Sequence, residues 1–284
     1  MSESFERAAC AAMGTRFEVV IAGCDAPRAQ WGAIAEDTLG LVSDWHGRLT
    51  RFERGSYVRW LADQPSGEPI GVDRDFAELL GVCARVWSAS GGALDVAGGR
   101  FGDVTLDART PSVMIWGPGV VLDFGAVAKG FVIDLVIDEL RAAGVTNAIV
   151  HGGTSTVRAI GPTPDGRPWA VRVGDGDDAP VVGLVDGSLS VSRNDGGAPV
   201  AGHVIDPKTG QPAAGAPFAA VLGESAAVCD AWSTALIVTG AHPGAMDSQL
   251  TSILPRASLG DGGGWDIQGP GAHAVRLPAE VGAA

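Results

Sequence analysis

The chain has 284 residues, 46% of them apolar and 19% charged, with a formal net charge of −13. This composition describes a folded globular chain, not a disordered one. No cluster of Lys and Arg is available to replace the counterions of a duplex, so nucleic acid is not an expected partner. The longest apolar runs fall short of a bilayer span, which excludes membrane insertion by a helix.

Cys10, Cys24, Cys83 and Cys229 are scattered, without a CxxC pair. That pattern argues against a disulfide framework or a zinc knuckle and favours a reducing cytoplasm. The residues before Cys10 include Glu6 and Arg7 and lack an apolar run, so an export signal is not expected.

In chain order, residues 16–22 read as a strand rich in β-branched side chains and ended by Gly23. From Trp31 to Leu49 the apolar positions 31, 34, 35, 38, 41, 42, 45 and 49 follow helical spacing. Ser56 is suited to cap a short helix. Phe76, Leu79, Leu80, Cys83, Val86 and Trp87 predict a further amphipathic helix that opens after Asp73 or Asp75 and ends at Gly91-Gly92. Residues 112–116 and 119–122 read as two strands joined through Gly117-Pro118-Gly119.

The densest stretch runs from Asp123 to Gly153. It holds a carboxylate, a glycine turn, Lys129 in the first turn of a predicted helix, and a strand over 145–150. Lysine beside helix N–H groups suits a phosphate. The order of residues is not that of a P-loop, because Lys129 precedes Gly130. Asp134, further along the helix, is expected to bond structurally. His151-Gly152-Gly153 resembles an esterase oxyanion loop, but the chain has no GxSxG elbow to complete it.

Beyond it, residues 169–173 and 219–222 read as strands, and 174–180 as a solvated acidic turn. Residues 184–191 read as strand-like around Asp186-Gly187, and 192–197 as a polar loop. His203 stands beside an Asp-Pro turn that Gly210 closes. A helix is predicted over 225–238, capped by Ser225 and stopped by Gly240. Residues 272–277 read as a final strand. Interspersed strands, helices and hairpins predict an α+β fold with largely antiparallel sheets and packed helices, in a single domain over residues 1–284.

Asp230 and Thr234 lie four apart on a helix, so both project from one face. The rest of that helix is apolar, and a buried carboxylate needs a partner. A hard cation would serve. So would an ordinary arrangement, with Asp230 at the surface and Thr234 bonded to the preceding turn. On local grounds Met13 and Asp95 read as ordinary structural residues. The first suits core packing, the second a solvated loop.

Together these pieces resemble the ApbE family of FAD:protein FMN transferases. The resemblance rests on MGT at 13–15, RFERGS at 51–56, GGALD at 91–95, DFGAVAKGFVID at 123–134, GG at 152–153, HVIDPKTGQP at 203–212 and CDAWSTALIVTG at 229–240. It implies an ApbE-like fold and magnesium-dependent transfer of FMN from FAD to a Ser or Thr hydroxyl of an acceptor protein, with release of AMP. Two other outcomes are compatible with it: FAD pyrophosphatase action giving FMN and AMP, and non-catalytic flavin binding.

Carried over residue by residue, Asp230, Ser233, Thr234 and the carbonyl of Ala126 are the implied metal ligands. Met13, Phe52, Ala93, Leu94, Asp95, Asp123, Lys129, His203, Val204 and Ile205 are the implied FAD contacts. His203 is the candidate base for the acceptor hydroxyl, with Asp230 as the competing candidate. The chain departs from the family pattern at Ala126 (usually Gly), Ala97 (usually Thr), Thr154 (usually Asp) and Phe52 (commonly an aromatic hydroxyl).

Overall fold

The structure is a computed structural model that describes residues 5–174, 179–194, 204–256 and 264–277. Among the described residues, the large sheet has eight strands, all antiparallel to their neighbours. Their spatial order is β1 (Glu6–Ala12), β2 (Thr15–Cys24), β6 (Val145–Gly152), β7 (Thr156–Ile160), β10 (Ser188–Arg193), β11 (Phe218–Gly223), β12 (Thr251–Pro255) and β13 (Trp265–Gln268). Two three-stranded sheets accompany it. One is β3 (Ile70–Gly71), β5 (Ser112–Ile115) and β4 (Val104–Asp107); the other is β14 (Val275–Arg276), β9 (Val181–Leu184) and β8 (Trp169–Arg172).

Among the described residues there are five α-helices: α1 (Trp31–Leu49), α2 (Tyr57–Ala62), α3 (Arg74–Ala89), α4 (Ala128–Ala142) and α5 (Ala226–Thr239). Three of the predicted helices, α2, α3 and α5, begin where their caps stand. Ser56, Asp73 and Ser225 accept from the backbone N–H groups of Arg59, Phe76 and Val228, and Gly240 ends α5 at φ 71°. Those side chains satisfy donors that a helix start leaves open.

The large sheet separates two apolar layers by the two-residue period of its strands. In β11, Ala219 and Val221 enter the core shared with the helices, while Ala220 and Leu222 enter the core beneath β8, β9 and β14. No described helix is long and apolar enough to cross a membrane.

Several sequence expectations are corrected. The hairpin over 104–122 is formed by β4 and β5, and residues 120–122 pair with no strand. Gly117-Pro118-Gly119 is instead a clamped turn, because Arg100 donates to the carbonyls of Pro118 (2.8 Å) and Trp116 (3.4 Å). Val120 and Leu122 are buried as an irregular segment. Ser192 and Arg193 belong to β10 and not to a loop. The expected strand over 272–277 reduces to β14, preceded by a 3₁₀ turn at Pro270–Ala274. Strands β1, β3, β4, β7, β12 and β13 were not anticipated, nor was β9 before Leu184. Of the acidic turn, residues 175–178 lie outside the described residues.

Helices α4 and α5 cross in close contact at Gly130. A Cβ on Gly130 would stand 2.2 Å from the carbonyl oxygen of Ala226 and 2.8 Å from the nitrogen of Ala227. Both obstacles are backbone, so no side chain can yield. Asp134, one turn further along α4, fastens the same contact. Its carboxylate accepts from Ser225 Oγ (2.7 Å) and from the N–H groups of Ala226 (2.9 Å) and Ala227 (3.0 Å), and pairs with Arg158 of β7. Asp134 therefore caps α5 from outside its own helix, where the dipole favours a negative charge. The structural role expected for Asp134 is the one the structure gives it.

Gly130→Ala is expected to destabilise the fold by about 1–3 kcal/mol through overpacking. Asp134→Ala, which strands Arg158 and the start of α5, is expected to cost about 3–5 kcal/mol. Urea unfolding followed by circular dichroism reads both.

Candidate functional site

A cavity of ≈ 650 Å³ lies where the turn before α4, the end of β10 and two loops converge. One loop contributes Ala93, Leu94 and Asp95, and the other Val204 and Ile205. Asp123, Ala126, Lys129 and Thr234 also line it. Nine of the residues singled out from the sequence thus share one wall.

The 123–129 turn is built around Gly125. Its N–H donates to Asp123 Oδ1 (3.0 Å), and its carbonyl accepts from Lys129 Nζ (3.3 Å). Asp123 also meets Arg51, whose Nε is 2.8 Å from Oδ2. Asp95 is not a free solvated carboxylate. Its oxygens accept from the N–H groups of Ala97 (2.8 Å) and Phe101 (3.1 Å), which shapes the glycine-rich loop that follows.

Asp230 stands behind this wall, 2% exposed. Its Oδ2 accepts from the N–H of Gly130 (3.1 Å), and its Oδ1 from Ser190 Oγ (2.9 Å) and Thr156 Oγ1 (3.2 Å). Lys129 Nζ lies 3.8 Å from Oδ2. Charge-assisted bonds of this kind are the strong ones, and three of them hold the carboxylate in one orientation. The alternative of a surface aspartate is excluded. Asp230 also mirrors Asp134. Each accepts from the first turn of the helix that carries the other, Asp230 from α4 and Asp134 from α5.

The neighbouring thiol feels both carboxylates. Burial pushes Cys229 well above the ordinary thiol range, Asp134 and Asp230 add to that, and Arg158 opposes them. Cys229 is therefore a packed, protonated thiol and not a nucleophile.

The partners of Asp230 come from strand alternation. Ser188, Ser190 and Ser192 occupy every second position of β10 and face α5, while Leu189 faces the opposite core. Ser192 Oγ lies 2.8 Å from Ser233 Oγ and 3.2 Å from Thr234 Oγ1. Ser233 is fully buried and donates to the carbonyl of Asp230 (2.9 Å), so its hydroxyl is spent inside the helix and does not reach the cavity wall. Thr234 does reach it.

Two expected contacts stand apart from the cavity wall. Met13 occupies the turn between β1 and β2 at φ 50°, packs against the core, and donates its N–H to His46 Nδ1 (3.3 Å). Phe52 is 82% exposed, with the Arg51 guanidinium 4.7 Å over its ring. His203 lies outside the described residues; the next residues in the chain, Val204 and Ile205, line the cavity. His151 bonds locally, its Nδ1 3.1 Å from the carbonyl of Gly153, which fits no oxyanion loop.

Sequence reasoning missed Arg51, Thr156, Ser190 and Ser192. The available signal was the Ser-x-Ser-x-Ser alternation of 188–192, which predicts hydroxyls on one face of a strand.

A family model for the ApbE family matches residues 100–249, more than half of the chain. The chain is 37% identical over 150 residues to the FAD:protein FMN transferase of Rhodobacter capsulatus, covering 50% of this chain but only 28% of that protein. It is 25% identical over 274 residues to the FAD:protein FMN transferase of Haemophilus influenzae, covering 80% of this chain and 79% of the relative. Among solved structures, the flavin transferase ApbE from Vibrio cholerae superposes with a TM-score of 0.79 at 20% identity, over 93% of this chain and 98% of that one. The ApbE protein from Thermotoga maritima gives 0.75 at 23% identity, over 88% and 94%. The expected α+β architecture is thus the ApbE fold, and the chain belongs to the ApbE family.

Proposed function

We propose that this chain transfers FMN from FAD to a Ser or Thr hydroxyl of an acceptor protein and releases AMP. The observation that carries the reading is the rigidly held, buried Asp230 behind a cavity lined by Lys129 and Thr234. The names of the curated relatives support it.

Magnesium is part of the proposal, and the residues present fit it. Asp230 offers a carboxylate with three donors in place and its remaining side toward Lys129, at 3.8 Å. Thr234 brings a hydroxyl and Ala126 a backbone carbonyl from the same cavity region. Hard-cation ligand sets of this kind combine few carboxylates with substrate phosphates. The chemistry supplied by bound magnesium is neutralisation of the pyrophosphate and stabilisation of charge developing on the transferred phosphoryl group.

The chain's own residues then divide the work. Lys129 directs its ammonium to the phosphates, and Ala93, Leu94, Val204 and Ile205 give the cavity apolar surface for the flavin dinucleotide. Asp230, already accepting three hydrogen bonds, is a holder and not the base. His203 takes the proton of the acceptor hydroxyl. The new bond joins the acceptor oxygen to the FMN phosphorus; the bond broken joins that phosphorus to the bridging oxygen, which leaves with AMP. The four free cysteines favour the cytoplasm as the compartment.

Incubation with FAD, magnesium and a candidate acceptor protein is expected to add one FMN to a Ser or Thr, read by intact mass, with equimolar AMP. AMP release without the mass gain would point to a pyrophosphatase, and retained FAD with neither product to a flavin-binding protein. Asp230→Asn is expected to abolish the magnesium-dependent turnover.

A further inference from the structure

Arg51 carries a feature the reading above leaves unused. It lines the cavity, and its guanidinium is fixed on two sides. Nε pairs with Asp123 Oδ2 at 2.8 Å, and the Phe52 ring supports the plane at 4.7 Å. Among the described residues, its terminal Nη groups meet no acceptor. A guanidinium anchored through Nε presents those remaining donors as a fork, which matches the geometry of a phosphate.

The anchoring also ties Arg51 to Lys129. Asp123 holds Arg51 through Oδ2 and the Gly125 N–H through Oδ1, while the Gly125 carbonyl holds Lys129. One short turn thus holds two cations, Lys129 from its own end and Arg51 from the segment between α1 and α2. Lys129 is partly neutralised by Asp230 at 3.8 Å. The carboxylates of the same wall, Asp95 and Asp123, are occupied by backbone N–H groups and by Arg51 itself. Both carboxylates of this wall thus already hold donors, while the Arg51 fork keeps donors to offer beside the Lys129 ammonium.

We propose that Arg51 is a phosphate-binding residue of this cavity, which grips the pyrophosphate of the dinucleotide together with Lys129. The role of Asp123 follows from this: it positions Arg51 more than it touches the ligand. The inference rests on the proposed use of FAD, and it concerns one residue of that site.

The test is titration of the full-length protein with FAD and with riboflavin, which lacks phosphate, followed by flavin fluorescence for the wild type, Arg51→Gln and Arg51→Lys. Arg51 is half exposed, so both variants are expected to fold, and thermal melting checks this. The Kd for FAD is expected to rise about tenfold in Arg51→Gln, as for loss of one charged hydrogen bond. Arg51→Lys, which keeps the charge but loses the fork, is expected to fall between. Riboflavin binding should stay unchanged in both. An unchanged Kd for FAD, or an equal loss for FAD and riboflavin, would overturn the assignment while leaving the transferase reading in place. Failure of the wild type itself to bind FAD would remove both.

Discussion

Two aspartates that exchange helix starts hold this molecule's site together. Asp134 of α4 accepts the first N–H groups of α5, and Asp230 of α5 accepts the N–H of Gly130 in the first turn of α4. Each carboxylate thereby serves donors that its partner helix cannot satisfy internally. The exchange works only because Gly130 lets the two backbones approach; a methyl group there would meet the Ala226 carbonyl at 2.2 Å. The two motifs that look independent in the sequence, around Lys129-Gly130 and around Asp230, are two halves of one junction.

The position of the cavity follows from that junction. Fixing the start of α4 fixes the turn before it, so Gly125 can hold Lys129 from one side and Asp123 from the other. Fixing α5 brings Thr234 to the wall and turns the Asp230 carboxylate toward β7 and β10, where Thr156 and Ser190 complete its hydrogen bonds. A buried carboxylate so fully supported keeps its geometry without a ligand. That preorganisation is what the proposed transfer of a charged phosphoryl group would use.

The helices were legible because their signals are local. Ser56, Asp73 and Ser225 cap the helices that their positions announce, and the 31–49 periodicity matches α1 to the residue. Strands with weak local signals were not legible. β1 is largely an unbroken run of small residues, and β7 is a short run whose Arg158 finds its partner only across the fold, on Asp134. The Gly-Pro-Gly turn misled because glycine and proline mark a turn without saying whether strands flank it; here Arg100 holds the turn in place of a sheet. Asp230 was legible as a carboxylate in need of a partner. Its partners were not, because the hydroxyls of Thr156 and Ser190 arrive from 74 and 40 residues away. Arg51 was hidden for the same reason, since only the fold sets it beside Asp123.

The central claim is that the Asp230 carboxylate serves a metal ion shared with the pyrophosphate of FAD. The most direct measurement is a crystal structure of the protein soaked with FAD and Mn²⁺, with data collected at the manganese absorption edge. The account predicts an anomalous peak within ligating distance of the Asp230 carboxylate, Thr234 Oγ1 and a pyrophosphate oxygen, at about the 2.0–2.2 Å typical of small hard cations. Bound FAD with Asp230 still directed only to Gly130, Thr156, Ser190 and Lys129, and the manganese elsewhere, would contradict it.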